Sequence, residues 1–299
     1  MSKARNIAAS VHARLLNLAR EREIQFNLIL PRYGVERLLY RLSRSEHSSR
    51  FVLKGASLFA LWSEMPHRST RDLDLLGFGD SSLAALAATF REICLLDVED
   101  DGLRFDETSV TSQEIKSLDE YVGARVTLMA HLGTARLPLQ VDIGIGDAVV
   151  PPAEDVTYPT LLDQPAPRLR AYRMETAIAE KLHAMAIHGM QNTRMKDYFD
   201  IYYLSRHFNF AREPLSLAIG ATFRRRGSSP LAELPLGLTG TFSSDSLKLK
   251  QWNAFVKRMV NESTGPSLPE VVEAIAGFIA PILDLNSSVT NWDAPGPWR

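Results

Sequence analysis

The chain has 299 residues, of which 45% are apolar and 23% are charged, the balance of a water-soluble globular protein. No apolar run is long enough to span a bilayer, and the single cysteine, Cys94, excludes an internal disulfide bond. The net charge of −1 excludes a uniformly basic protein, so a nucleic-acid partner would require a local basic patch. We therefore expect a cytoplasmic protein without membrane contact, long enough for one large domain or two of ordinary size.

The first segment, 5–44, predicts two helices, because apolar residues recur in it at helical spacing. Pro31 and Gly34 predict a kink or a break in the second helix. Two groups of basic residues are candidates for contact with a nucleic acid, although such groups are more often solvated faces. These groups are the N-terminal helix (Lys3, Arg5, Arg14, Arg20 and Arg22) and the run of Arg224, Arg225 and Arg226.

The segment 51–76 organises the rest of the chain. Its first three residues, 51–53, are apolar and predict a buried strand. The small residues Gly55, Ala56 and Ser57 then form a turn that leads into a short helical patch. Small residues after a strand let backbone N–H groups approach a phosphate, and a helix N-terminus adds partial positive charge. The turn is therefore a candidate phosphate-binding loop.

The next predicted strand contains Asp72 and Asp74, whose side chains project to the face opposite Leu73 and Leu75. Two neighbouring carboxylates repel each other unless a cation lies between them, and hard oxygen ligands select Mg²⁺ or Mn²⁺. The alternative is a solvated strand face, which is the commoner explanation of an isolated Asp-x-Asp. The preceding phosphate loop favours a metal site, because the combination is typical of nucleotidyltransferases.

A third carboxylate is predicted on the strand 137–143, in which apolar and polar residues alternate. Asp142 belongs to the polar face of this strand, and further strands are predicted at 103–109 and 124–131. A single aspartate on a strand is usually only exposed to solvent. Asp142 becomes a candidate metal ligand because the carboxylate pair requires a third ligand.

Five prolines between residues 147 and 170 predict an ordered linker between two domains. We place the N-terminal helices and the core at 1–150, the linker at 151–170 and a helical domain at 171–299. The helices predicted beyond the linker cover 174–188, 195–206, 212–225, 246–260 and 268–283, with a surface loop at 227–245.

Two of these helices carry charged residues among apolar ones. Lys181 lies in the middle of an apolar stripe, from which it can extend its ammonium group to solvent. Asp197 and Asp200 lie on a helix that is apolar nearly all round, so both require cationic or hydrogen-bonded partners. The available cations are Lys181, Arg194 and Lys196. Two interpretations stay open: a structural ion-pair network, and a lysine–aspartate set that faces a nucleotide.

Two blocks of the sequence resemble the signature of a known family. KGAS at 54–57 and TRDLD at 70–74 are similar to the "KGGT…R.T.DID" motif of the AbiEii/AbiGii nucleotidyltransferase-like toxins, which include the MenT group. METAIAEKL at 174–182 and RMKDYFD at 194–200 are similar to the same family's "E.i.AEKl…R.KD.yD" block. The resemblance covers about residues 50–206, with both blocks in the family's order.

The resemblance implies an α+β fold: a DNA-polymerase-β-like nucleotidyltransferase core, with a mixed sheet and flanking helices, plus a helical C-terminal domain. It also implies a metal-dependent toxin of bacterial toxin–antitoxin and phage-defence systems. Such an enzyme would use Mg²⁺ (or Mn²⁺) to transfer a nucleotide from an NTP to an RNA acceptor, the 3′ end of tRNA. The implied partners are the NTP, the RNA and a cognate antitoxin protein.

Site residues follow from the same resemblance. It implies metal binding by Asp72, Asp74 and Asp142, nucleotide binding by Lys54, Gly55, Ser57 and Arg71, and a catalytic set of Asp72, Asp74, Lys181 and Asp197. Ala56 departs from the motif, which favours one alternative, a non-catalytic nucleotide- or partner-binding module with the same fold. A second alternative is transfer of phosphate, instead of a nucleotide, to tRNA or protein.

Overall fold

The computed structural model describes residues 6–63, 72–116, 122–259, 265–284 and 286–299. The chain forms two compact units. The sheet unit comprises Met1–Gly146 and Glu154–Ala171, and the helical unit comprises Asp147–Ala153 and Tyr172–Arg299. In the described residues, every helix is too short or too polar to cross a membrane.

The sheet unit contains a mixed sheet of seven strands in the order β3-β4-β5-β2-β1-β7-β6 among its described residues. Its strands are β1 (Phe51–Lys54), β2 (Asp72–Gly77), β3 (Leu103–Lys116), β4 (Val122–Leu132), β5 (Ala135–Ile145), β6 (Glu154–Thr157) and β7 (Arg168–Ala171). Its helices are α1 (Ile7–Glu21), α2 (Phe26–Arg44), α3 (Phe59–Trp62) and α4 (Leu83–Leu95). Two neighbouring pairs, β2 with β5 and β1 with β7, are parallel, and the others are antiparallel.

The core of this unit lies under the apolar face of the sheet. Leu53, Leu73 and Leu75 are fully buried on the two central strands, as their alternation with polar residues predicts. Helix α2 packs on β5, and Gly34 of this helix lies against Leu139, with little space for a side chain. A mixed sheet with helices packed on one face confirms the predicted α+β class.

The second predicted helix is continuous, because α2 runs through Pro31 without a break. This proline lies near the N-terminal end of the helix, where it removes a single backbone hydrogen bond. The burial of the following residues, among them Tyr33, Leu38 and Leu39, outweighs that loss.

Where the proline content predicts a linker, at 151–170, the structure has two strands of the sheet. Strand β7 pairs in parallel with β1, and β6 pairs with β7. The prolines all lie outside these two strands, where a missing backbone N–H removes no ladder hydrogen bond. Strand β7 forms hydrogen bonds with the edge of β1. The two segments are far apart in sequence, so the local amino-acid composition does not predict this pairing.

The helical unit contains the remaining described elements. They are α5 (Met174–His188), α6 (Met195–His207), β8 (Phe210–Ala211), α7 (Arg212–Arg225), α8 (Gly240–Ser243), α9 (Ser246–Met259), α10 (Leu268–Leu283) and β9 (Asn291–Trp292). The predicted surface loop at 227–245 thus contains the short helix α8. The C-terminal segment docks on the core of this unit, because the indole N–H groups of Trp292 and Trp298 donate to the carbonyl oxygens of Ser205 and Phe278.

Candidate active site

The turn after β1 has a backbone conformation that favours glycine. Gly55 has a φ of +69°, and a single 3₁₀ turn from Gly55 to Leu58 leads into α3. A Cβ atom at this position would overlap the carboxylate of Asp74 and would lie 2.6 Å from the Cβ of that residue. Gly55 therefore serves two purposes, since it permits the turn and lets the β2 carboxylate approach the backbone.

Ser57, in the same turn, has a buried hydroxyl group. Its residue is 1% exposed, and no hydrogen-bond partner for Oγ occurs among the described residues. A buried hydroxyl without a partner loses the hydrogen bonds that water would supply. An anionic ligand such as a triphosphate would accept a hydrogen bond from this group, so the turn fits the phosphate that it is predicted to bind.

Charged side chains form a row across four neighbouring strands on the polar face of the sheet. The register places Lys54 of β1 beside Asp74 of β2, Asp74 beside Asp142 of β5, and Asp142 beside Arg125 of β4. We call these four residues the charged row. All four are partly exposed, and Asp72, two residues before Asp74 on the same face of β2, is exposed. The predicted placement of Asp72, Asp74 and Asp142 on polar strand faces agrees with this register.

Arg125 and Asp142 form a bidentate ion pair. The Nε and Nη2 groups of Arg125 donate to Oδ1 and Oδ2 of Asp142, each at 2.8 Å. The amide of Gln140 lies 3.2 Å from Oδ1 and 3.4 Å from Oδ2 of the same carboxylate. Hydrogen bonding to Asp142 is the main cause of a raised pKa of Arg125, and the charges of Asp72 and Asp74 raise the pKa further. No sequence motif identifies Arg125 as a site residue.

The carboxylates of Asp72, Asp74 and Asp142 lie on the same polar face of the sheet. Their chemistry suits a divalent cation, since hard oxygen atoms are the ligands of Mg²⁺ and Mn²⁺. Asp72, Asp74 and Asp142 do not bring one oxygen each within 4.8 Å of one another. Within the described ranges, the acidic or histidine trio with all ligand atoms within 4.8 Å of one another is Glu46, His47 and Glu92. That trio is a surface cluster, in which the His47 imidazole contacts Glu92 at 2.7 Å.

The helical unit contains the second predicted set. Lys181 Nζ lies 3.2 Å from Oδ1 of Asp197 and 2.8 Å from Oδ2 of Asp200, and the Arg194 guanidinium also binds Asp197. Both carboxylates are buried. Burial by itself raises the pKa of Asp197, but the charges of Lys181 and Arg194 outweigh it and lower the pKa. Of the three cations considered, Lys181 and Arg194 are thus partners, whereas Lys196 is an exposed residue of α6.

The predicted nucleotide-binding residue Arg71 lies outside the described residues, as do Lys3 and Arg5 of the N-terminal basic group. Lys54, Gly55 and Ser57 are described: Lys54 and Gly55 lie next to Asp74 of β2, and Ser57 follows them in the same turn. The sequence carries one weak signal for Arg125, namely its place in an alternating strand, but this signal does not say which residue it faces.

The chain was compared with protein-family models, with curated proteins and with solved structures. The family model "Nucleotidyl transferase AbiEii toxin, Type IV TA system" matches residues 37–274. Among curated proteins, no relative matches. A solved structure of a candidate nucleotidyltransferase from H. pylori is 16% identical, with a TM-score of 0.44 over 79% of this chain and 86% of that chain. The structure of JHP933 from Helicobacter pylori is 18% identical, with a TM-score of 0.42 over 79% of this chain and 83% of that chain.

Proposed function

Because the chain belongs to the AbiEii nucleotidyl transferase toxin family of type IV toxin–antitoxin systems, we propose that it transfers a nucleotide from an NTP to an RNA. The proposed acceptor is the 3′ end of tRNA, and the proposed cofactor is Mg²⁺, which Mn²⁺ can replace. A cognate antitoxin is the proposed protein partner, and phage defence in the bacterial cytoplasm is the proposed setting.

One observation supports this proposal above the others. Asp74 lies against the glycine turn, and Asp142 is its neighbour on a parallel strand. The same turn contains the Ser57 hydroxyl, which has no partner among the described residues. A triphosphate on the turn would therefore lie beside the carboxylates. This is the arrangement that a nucleotidyl transfer needs, because it brings the triphosphate and the candidate metal ligands together.

In the proposed reaction, a divalent cation held by Asp72, Asp74 and Asp142 would neutralise charge on the attacking oxygen and on the leaving pyrophosphate. The residues of the chain would position the substrate. The Ser57 hydroxyl and the Gly55 backbone N–H would donate to the triphosphate, and Lys54 and Arg71 would supply positive charge. Lys181 and Asp197 remain proposed catalytic residues on the strength of the motif that contains them.

The first test is transfer of label from each of the four NTPs, labelled at the α-phosphate, to total RNA in the presence of Mg²⁺. We expect labelled RNA with the wild type. We expect about a thousandfold less with Asp72→Asn or Asp74→Asn, because each change removes an anionic metal ligand. The matched control is Asp155→Asn, which removes an exposed carboxylate from β6 of the same sheet and leaves transfer unchanged.

The position of the label separates the alternatives. Label that reaches RNA or protein from the γ-phosphate, and never from the α-phosphate, would replace nucleotidyl transfer by phosphate transfer. An NTP that binds without transfer to any acceptor would indicate a non-catalytic module. Melting temperatures of the variants complete the test, because a loss of activity with an intact fold assigns the aspartates to chemistry.

A further inference from the structure

The carboxylate of Asp142 already has a cationic partner within its own sheet. Arg125 holds both carboxylate oxygens through two hydrogen bonds, and both side chains are partly buried, with 32% of Arg125 and 21% of Asp142 exposed. Bidentate arginine–carboxylate pairs are the strong and geometrically specific ones. A metal ion bound to Asp142 would require an oxygen atom that this guanidinium now holds.

Arg125 also lies in the field of the other two carboxylates. The charges of Asp72 and Asp74 stabilise its guanidinium, and in the charged row it stands at one end with Lys54 at the other. Two cations, Lys54 and Arg125, thus accompany the three carboxylates of Asp72, Asp74 and Asp142. The positive charges offset part of the repulsion between the neighbouring carboxylates.

We propose that Arg125 is a positioning residue that pairs with Asp142 and must yield this carboxylate when a divalent cation binds. The inference rests on the proposed function, since it assumes a metal at Asp72, Asp74 and Asp142. In the structure both oxygens of Asp142 already accept hydrogen bonds from an internal cation.

The proposal makes divalent-cation affinity depend on Arg125 in a direction that a simple supporting role would reverse. If the guanidinium competes with the metal, its removal tightens binding. If it only fixes the carboxylate in place for the metal, its removal weakens binding. The affinity for the divalent cation distinguishes these two outcomes, and it can be measured without nucleotide, RNA or transfer activity.

The experiment is titration calorimetry of the full chain with MnCl₂ in the absence of NTP. We expect Arg125→Gln to bind Mn²⁺ about tenfold more tightly than the wild type, a change that corresponds to about 1.4 kcal/mol. Arg125→Lys keeps the charge but loses the bidentate geometry, so its affinity should lie between the two. The matched control is Arg136→Gln, an exposed arginine of β5 about 20 Å along the strand from Asp142, which should bind Mn²⁺ as the wild type does.

A second readout is the rise in melting temperature that MnCl₂ produces, which should be larger for Arg125→Gln than for the wild type. Equal or weaker Mn²⁺ binding by Arg125→Gln overturns the proposal, and so does Arg125→Lys with wild-type affinity, because pairing would then not matter. Should the glutamine variant not fold, the lysine variant alone decides.

Failure of the inference and failure of the proposed function remain distinguishable. If the wild type binds Mn²⁺ and Asp72→Asn does not, the metal site stands whatever Arg125 does. If neither the wild type nor Arg125→Gln binds Mn²⁺, the metal assignment and the inference both fail. If Arg125→Gln alone binds it, the competition is stronger than expected and the inference is supported.

Discussion

Gly55 is the residue at which backbone conformation and the candidate site depend on each other. Its positive φ would cost an alanine about 1–2 kcal/mol by itself. The added Cβ would also lie 2.6 Å from the Cβ of Asp74, so rotation of the carboxylate cannot relieve the clash. Strand β2 would have to shift away from the turn.

We therefore predict that Gly55→Ala abolishes Mn²⁺ binding and nucleotidyl transfer, and destabilises the chain by more than the backbone cost alone. Gly79→Ala is the matched control. Its φ is +83°, but the nearest atom to an added Cβ is in the Arg50 side chain at 3.8 Å, so it carries the backbone cost without the clash. Urea unfolding and calorimetry on both variants check this. Equal effects on metal binding would disprove the link between the turn and Asp74.

Lys181 is the second residue whose role can be tested. Lys181→Met keeps the apolar stripe of α5 but leaves Asp197 and Asp200, both buried, without their shared ammonium partner. We predict a loss of about 3–5 kcal/mol in the free energy of unfolding, the usual effect of breaking a buried pair. Lys196→Met, an exposed lysine of α6, should change stability by less than about 0.5 kcal/mol.

The outcome for Lys181 separates its two interpretations. A stable Lys181→Met variant with much weaker NTP use would assign the lysine to the nucleotide, and the structural network would then not be its main role. A destabilised variant supports the network, and Lys181→Arg, which keeps the charge, should then restore part of the stability. Melting curves and the α-label assay are run on the same protein preparations.

At the scale of the element, α2 holds the proline-rich segment against the sheet unit. The carboxylate of Glu36 accepts a hydrogen bond from the Leu161 backbone N–H at 2.7 Å, and Arg37 donates to the Pro165 carbonyl at 2.8 Å. Arg37 and Arg41 also bind the buried carboxylate of Asp101. The helix therefore makes the contacts that convert an apparent linker into part of a domain.

Burial raises the pKa of Glu36 from an ordinary value of 4.5 to about 7, although the Leu161 hydrogen bond and the charge of Arg37 act against burial. Because the pKa of Glu36 is higher in the folded state than in the unfolded state, its carboxyl group stabilises the fold fully below pH 4.5. This contribution to the free energy of unfolding is lost as the pH rises to about 7. The difference between the two pKa values corresponds to about 3 kcal/mol in the free energy of unfolding. We predict that Glu36→Gln matches the wild type at about pH 4 and exceeds it at about pH 8.

The measurement is the free energy of unfolding in urea at about pH 4, 6 and 8, which lie below, within and above the interval between the two pKa values. Glu21→Gln, at an exposed position of α1, is the matched control and should follow the wild type at each pH. If the free energies of unfolding of the wild type and Glu36→Gln change with pH in parallel, Glu36 does not titrate in this range. The predicted advantage of Glu36→Gln at about pH 8 would then be absent.

At the scale of the whole molecule, the net charge is −1, so the proposed RNA acceptor would have to be bound by local basic surfaces. The three arginines of the basic run 224–226 have different surroundings in the structure. Arg224 and Arg225 are exposed, whereas Arg226 lies inside the helical unit, 3.4 Å from Asp147 and 3.3 Å from the His183 imidazole. Of the three, the first two can bind a phosphate without breaking these internal pairs.

We predict that Arg224→Glu with Arg225→Glu weakens tRNA binding and lowers the slope of log affinity against log salt by about 0.7–0.9 for each phosphate that is no longer neutralised. NTP binding should not change. The control is Lys250→Glu with Lys257→Glu, two exposed lysines of α9, which alters the net charge equally. If both double variants flatten the slope equally, overall charge and not this patch determines binding. An unchanged slope in both would locate the RNA elsewhere, with Arg20 and Arg22 next to test.

The sequence by itself determined what depends on neighbouring residues. The helices 174–188, 212–225 and 268–283 have the predicted bounds, because helical periodicity is a local property. The alternation within each strand placed Asp72, Asp74 and Asp142 on polar faces, because side chains of a strand point to opposite sides in turn. Gly55 was singled out for the same local reason, a small residue after a strand.

Only the tertiary structure decided which strands meet and in which register. The pairing of β2 with β5 joins segments about 70 residues apart, and it places Asp74 beside Asp142. The antiparallel pairing of β4 with β5 then turns Asp142 toward Arg125, a partner that alternation alone does not identify. The return of β7 along β1 converts a proline-rich segment into a strand of the sheet. In each case the pairing partner depends on how the whole unit packs, because the segments that share a strand edge or a buried face are distant in sequence.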